Sequence, residues 1–140
     1  MLNVSTFQGR LAQDLAVENT PTGIAFCRLK VAVDRDYVSD GVRKTDFLSC
    51  ICWREIALFA AKYFQKGDAV IVRGRLEEDV WKDKDGNTRS RMIVNVDNLY
   101  FGETKKARED RSRRASDNPD ALPPEEYEDI TDEEAAQLPF

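Results

Sequence analysis

The sequence predicts an all-β domain over residues 1–104, with one helix inserted among five strands, and a disordered acidic tail over residues 105–140. Three observations carry this reading. Apolar residues recur at every second position through several stretches bounded by turn residues, as half-buried strands require. One stretch, residues 54–67, switches to helical spacing. Beyond about residue 104 the periodicity ends and charge takes over, leaving too little apolar surface to order the chain.

In chain order, residues 2–12 read as the first strand, with Val4, Phe7 and Leu11 apolar and Gly9 at a bend or bulge. Asn19-Thr20-Pro21-Thr22-Gly23 is a turn cluster. The second strand, residues 24–36, has a clear period of two: Ala25, Cys27, Leu29, Val31 and Val33 face one way, and Phe26, Arg28, Lys30 and Asp34 the other. The second face is either an ordinary solvated surface or an aromatic set among cations. Tyr37 opens a polar connection whose tip is Asp40-Gly41, a hairpin signal.

The third strand, residues 45–53, organises the rest. Leu48, Cys50 and Cys52 suit a core; Phe47, Ser49, Ile51 and Trp53 share the opposite face, with two large aromatics six residues apart. Those rings either lie under a second layer or form an open platform on which nucleic-acid bases could stack. Ile56, Phe59, Ala60 and Tyr63 then fall at helical spacing, and Gly67 is placed to cap the helix. In the fourth strand Val70, Val72 and Leu76 point inward, Ile71, Arg73 and Arg75 outward, with Gly74 at a kink. Asp85-Gly86 marks a turn between the fourth and fifth strands, which places Trp81 on a projecting arm with Arg89 and Arg91 on its return. Read as a calcium loop, the same run would put Met92 where the bidentate glutamate belongs, so the match fails.

Composition narrows the function classes. The chain has 140 residues, room for one domain plus extras. It has three cysteines and no histidine, and no Cys-x-x-Cys pair, which argues against a disulfide framework, a structural zinc site or any other metal or cofactor. Neither a phosphate-binding glycine loop nor a cluster of acid–base residues is present, so an enzyme such as a metal-dependent nuclease has no site to build on. No apolar run approaches the ~20 residues that span a bilayer, and the N-terminus lacks a signal pattern; a cytoplasmic protein is expected. Residues 1–106 hold 17 basic and 15 acidic side chains, a net of +2, whereas residues 107–140 hold 4 and 11, a net of −7. The overall acidity that would argue against a nucleic-acid partner therefore sits in the tail.

Five strands with one helix between the third and fourth is the order of the oligonucleotide-binding Greek-key barrel, the OB-fold. The sequence also resembles the bacterial-type single-stranded-DNA-binding proteins. The matching stretches are NVSTFQGRL (3–11), DFLSCICWR (46–54), FQKGDAVIVRGRL (64–76), the WKDKDGN hairpin (81–87) and the terminal Leu138-Pro139-Phe140. The resemblance covers residues 1–102 and the last nine or so. It implies base stacking by Tyr37, Phe47, Trp53 and Trp81, and DNA contacts at or near Arg28, Lys30, Arg54 and Lys66. It further implies a homotetramer, or four such domains in another arrangement, that wraps single-stranded DNA during replication, recombination and repair, associated with the nucleoid. The tail tip, with Asp132, Glu133, Glu134, Leu138, Pro139 and Phe140, would recruit replication and repair enzymes.

Two departures remove positive charge from the expected path: Glu77-Glu78-Asp79 and Ser49 stand where some relatives carry arginine. Arg73, Arg75, Arg89 and Arg91 are the candidates to compensate. The competing reading within the same fold is an RNA-binding or replication-restart module, against which the terminal Leu-Pro-Phe argues.

Overall fold

The computed structural model describes residues 1–117. Six strands and two helices follow in the order β1 (Ser5–Leu11), β2 (Val17–Asn19), β3 (Ala25–Ser39), β4 (Val42–Trp53), α1 (Glu55–Tyr63), β5 (Ala69–Lys82), β6 (Thr88–Phe101) and α2 (Lys105–Asp117). The sheet order is β1-β5-β6-β4-β3-β2, and β1 pairs with β3 as well. That second pairing, Arg10↔Ala32 and Leu11↔Val31, closes β1, β5, β6, β4 and β3 into a five-stranded barrel. Every pairing is antiparallel except β4 with β6, which run parallel at Cys50↔Val94 and Ile51↔Asn95. The expected OB-fold is present, with the three-residue β2 added on the outer edge of β3.

Closing so small a barrel forces strands together where side chains would collide. β1 leaves β5 for β3 at Gly9–Arg10, and a Cβ on Gly9 would overlap the Ala32 carbonyl oxygen. Gly74 plays the same part against the Asn95 carbonyl oxygen, where the β5–β6 register slips by one residue. Both glycines were expected to bend their strands, and this close approach is the reason.

The core is the inward set that alternation predicts. Leu11, Cys27, Leu29, Val31, Cys50, Cys52, Val70 and Val72 are all at most 2% exposed, and α1 closes one end with Ala57 and Ala60. Burial pushes the Cys50 thiol up to about 12, and Cys27 and Cys52 are also raised, chiefly by burial. All three stay protonated at neutral pH and serve as small apolar residues.

Four expectations need correction. Leu76 is 43% exposed, because β5 and β6 run past the end of the barrel there and become an arm. The α1 helix ends at Tyr63 rather than near Gly67: Phe64 turns into the core in extended conformation, and Gly67, with φ 90°, makes the following turn and donates to the Leu11 carbonyl. The turn at Asp85-Gly86 is wider than two residues. Asp83 closes it, accepting from the backbone N–H groups of Asp85 and Asn87 and from Arg89. Finally, the disorder expected from residue 105 does not hold for residues 105–117, which form α2. This helix has no apolar face for periodicity to detect. Ion pairs dock it instead: Arg108 and Arg111 reach Asp68, which is 2% exposed, at 3.1 and 3.0 Å, and Arg111 reaches Glu103 at 2.7 Å.

Candidate nucleic-acid interface

Cross-strand register assembles the site from β3 and β4. Phe26 lies opposite Trp53, Arg28 opposite Ile51, Lys30 opposite Ser49 and Ala32 opposite Phe47. Period-two alternation puts all eight on the outer face. An aromatic pair therefore stands at one end of the row and Phe47 at the other, with two cations between. Phe26 and Trp53 have ring centroids 5.4 Å apart, and the Arg28 guanidinium lies 5.7 Å from the Phe26 centroid. Trp53 remains 36% exposed, so no second layer covers it.

Lys30 departs from the solvated-face alternative, since it is only 8% exposed. It lies in a cleft of about 200 Å³ whose other walls include Asp14 and Glu18 from around β2, Ser49 from β4 and Arg91 from β6. Lys66 is tied to the cleft wall by its backbone N–H, which donates to Asp14. Trp81, on the β5–β6 arm, continues the line: the Arg91 guanidinium lies 5.4 Å from its ring centroid.

At the β3–β4 tip, Asp40 and Gly41 have φ 53° and 76°, the mirror-image turn that a two-residue hairpin requires. Below it, Arg35 forks onto Asp46 at 3.0 and 2.9 Å and donates to the Tyr37 hydroxyl at 3.1 Å. Arg35 holds the Asp46 carboxyl below its usual range. The clamp fixes Tyr37, which is 59% exposed, beside the strand that carries Phe47.

Arg54 occupies an unusual backbone state, φ 58° and ψ −122°, at the entrance to α1. Its N–H donates to the Ala25 carbonyl at 2.7 Å. The consequence is an exposed cation next to Trp53 at the mouth of the platform.

The expected residues do not all converge. Arg28, Lys30, Phe47 and Trp53 share one face, Trp81 and Lys66 border it, and Tyr37 and Arg54 stand at its ends. Arg73 lies opposite Thr6 and Asn98, on the wall built with β1 rather than with β3 and β4. Arg75 is matched by Glu77 at 3.7 Å and Asp97 at 3.6 Å. Arg89 pairs with Asp83 and Arg91 with Asp79. The arginines expected to offset the acidic run are thus largely neutralised, in part by that run. Asp132, Glu133, Glu134, Leu138, Pro139 and Phe140 lie outside the described residues.

One residue beyond the expected set lies in the row, Phe26, and Arg91, expected as a compensating cation, lines the cleft beside Lys30. The signal for Phe26 is its parity with Arg28 on the same strand face. Arg35 has no local signal, since its partner Asp46 is brought near only by strand pairing. Among the described residues no group of three His, Cys, Asp or Glu side chains could hold a metal ion, and no helix is long and apolar enough to cross a membrane.

A model of the Single-strand binding protein family matches residues 2–102, which is the whole barrel. The chain belongs to that family. It is 37% identical over 106 residues to a single-stranded DNA-binding protein of Oceanobacillus iheyensis, covering 75% of this chain and 66% of the relative. A single-stranded DNA-binding protein of Caldanaerobacter subterraneus is 35% identical over 75% of this chain and 71% of its own length. Single-stranded DNA-binding protein A of Bacillus subtilis is 32% identical over 75% and 62%. The similarity therefore falls on the barrel, and the matched stretch spans about two thirds of each relative.

The ion pairs on the arm lead to an expected result. Substituting Glu77→Gln, Asp79→Asn and Asp97→Asn together frees Arg75 and Arg91 for phosphates. Affinity for single strands at low salt should rise, and the slope of log affinity against log salt should steepen by about 0.7 for each cation engaged. Identical slopes in variant and parent would place the arm off the strand's path.

Proposed function

We propose that this protein binds single-stranded DNA without sequence preference, as a non-catalytic partner of replication, recombination and repair. The observation that carries the reading is the β3–β4 row, in which the Phe26–Trp53 pair and Phe47 flank Arg28 and Lys30. Every base offers a face to stack on, and every nucleotide a phosphate to neutralise, so this arrangement tolerates any sequence. Family membership and the DNA-binding function for which the relatives are named support the same reading. The direct test is titration with a thymidine homopolymer while tryptophan emission is followed. Trp53 and Trp81 should be strongly quenched; unchanged emission at high strand concentration would sink the proposal.

The reading extends to assembly and partners. The protein works as a cytoplasmic, nucleoid-associated homotetramer, and the segment from Asp132 to Phe140 recruits replication and repair enzymes. Acidic residues followed by a terminal aromatic suit a basic ridge leading to an apolar pocket. Removing residues 132–140 should abolish capture of such partners while leaving strand affinity equal or slightly higher, most visibly at low salt. Phe140→Ala should lose the partners as well. Capture that survives Phe140→Ala and a one-residue extension alike would show that the tip is incidental.

A further inference from the structure

A second pocket lies away from the β3–β4 row, where α2 meets the end of α1. It has a volume of about 430 Å³, and its walls include Tyr63, Phe101, Lys105 and Arg108. Tyr63 and Phe101 are 44% and 49% exposed, large values for aromatic side chains. Both rings are braced from behind. Phe59 touches each of them, at 5.1 and 6.0 Å, and Phe101 stacks on Phe64 at 4.6 Å.

The electrostatics of this pocket favour an anion. Its two acids, Asp68 and Glu103, are already matched by Arg108, Arg111 and Arg10. Lys62 stands over the Tyr63 ring at 5.2 Å, and Lys105 lies on the wall. Residues 105–114 as a whole carry six basic side chains and two acidic ones. Open aromatic rings beside surplus cations are the chemistry that takes a base on its face and a phosphate at its edge. A short chain of contacts leads from this pocket toward the first cleft: Arg111 pairs with Asp68 on the pocket wall at 3.0 Å. The Arg111 guanidinium lies where a Cβ on Gly67 would point, and the neighbouring Lys66 donates its N–H to Asp14 on the cleft wall.

We propose that this pocket is a second binding point for the same DNA strand, which leaves the β3–β4 row past Lys66 and sets a nucleotide between Tyr63, Phe101 and Lys105. The inference rests on single-strand binding at the first row. Helix α2 then has a role: its ion pairs with Asp68 hold one wall of the pocket in place and add cations to the strand's path.

Strand length separates the two binding points. A strand of about 8 nucleotides fills the first row, and one of about 16 reaches the second pocket. Tyr63→Ala should weaken the longer strand roughly tenfold and leave the shorter one unchanged. Lys105→Glu with Lys106→Glu should flatten the longer strand's salt slope by about 0.7 for each phosphate that is no longer neutralised. Strands carrying 5-iodouracil should crosslink, on irradiation, to peptides containing Tyr63 or Phe101 only at the longer length. Thermal melts establish that both variants are folded. Unchanged binding of the longer strand in both folded variants overturns the proposal. So does a synthetic peptide of residues 132–140 that protects Tyr63 when the longer strand does not, since the pocket would then take an acidic peptide. Wild-type protein that binds neither strand overturns the first-row reading as well, and is thereby distinguished from failure of the second binding point alone.

Discussion

Trp53→Ala is expected to weaken binding to a thymidine homopolymer by roughly 1–3 kcal/mol, the range for losing one base–aromatic stack. Phe47→Ala should do the same from the other end of the row. Neither change should unfold the protein: Trp53 is 36% exposed and Phe47 half-buried on the outer face, away from the barrel core. The comparison with Trp53→Phe is informative, because an aromatic face would be kept while the indole is lost. That variant should retain most of the affinity. If Trp53→Ala melts like the parent and binds like it too, the Phe26–Trp53 pair is packing and not a platform.

The largest effect on stability is expected at Asp68→Ala, about 3 kcal/mol by chemical denaturation. The carboxylate is 3% exposed and accepts from Arg108, Arg111 and the backbone N–H of Gln65. Removing it leaves Arg108 with the Tyr63 carbonyl and Arg111 with Glu103 in place of the shared carboxylate, and leaves that N–H without its acceptor. Both arginines retain partial contact with water, 30% and 25%, which places the cost at the low end for a broken buried pair. Release of α2 has its own signature: trypsin should cut at Arg108 and Arg111 faster in the variant. A loss below about 0.5 kcal/mol, the scale of ordinary surface changes, would show that the ion pairs do not hold the helix.

What can be read from the sequence follows from which interactions are local. Alternation alone places Phe47 and Trp53 on one face, and it needs no partner strand. Asp40-Gly41 declares its hairpin because few other residues accept two positive φ values in succession. Lys30 falls on the correct face, but its burial is not legible, since the walls that enclose it come from Asp14 and Glu18, on a separate segment of the chain. The pairing of Arg75 with Asp97 and of Arg91 with Asp79 depends on the β5–β6 register, including the one-residue slip at Gly74. Helix α2 escapes detection for another reason. Periodicity finds helices that bury an apolar face, and this one is tied down through two arginines and a buried aspartate.

Arg54 sets stability and function at odds. Its φ and ψ correspond to the first central residue of a II′ turn, a state open to glycine and costing other residues on the order of 1–3 kcal/mol. A laboratory search for heat tolerance would therefore choose Arg54→Gly early, because the strain would vanish without disturbing the fold. Under the proposed function the same choice would strip a cation from the mouth of the platform. Thermostabilised descendants of this chain should accordingly be screened for strand affinity as well as melting temperature, since the most favourable single change for one is an unfavourable change for the other.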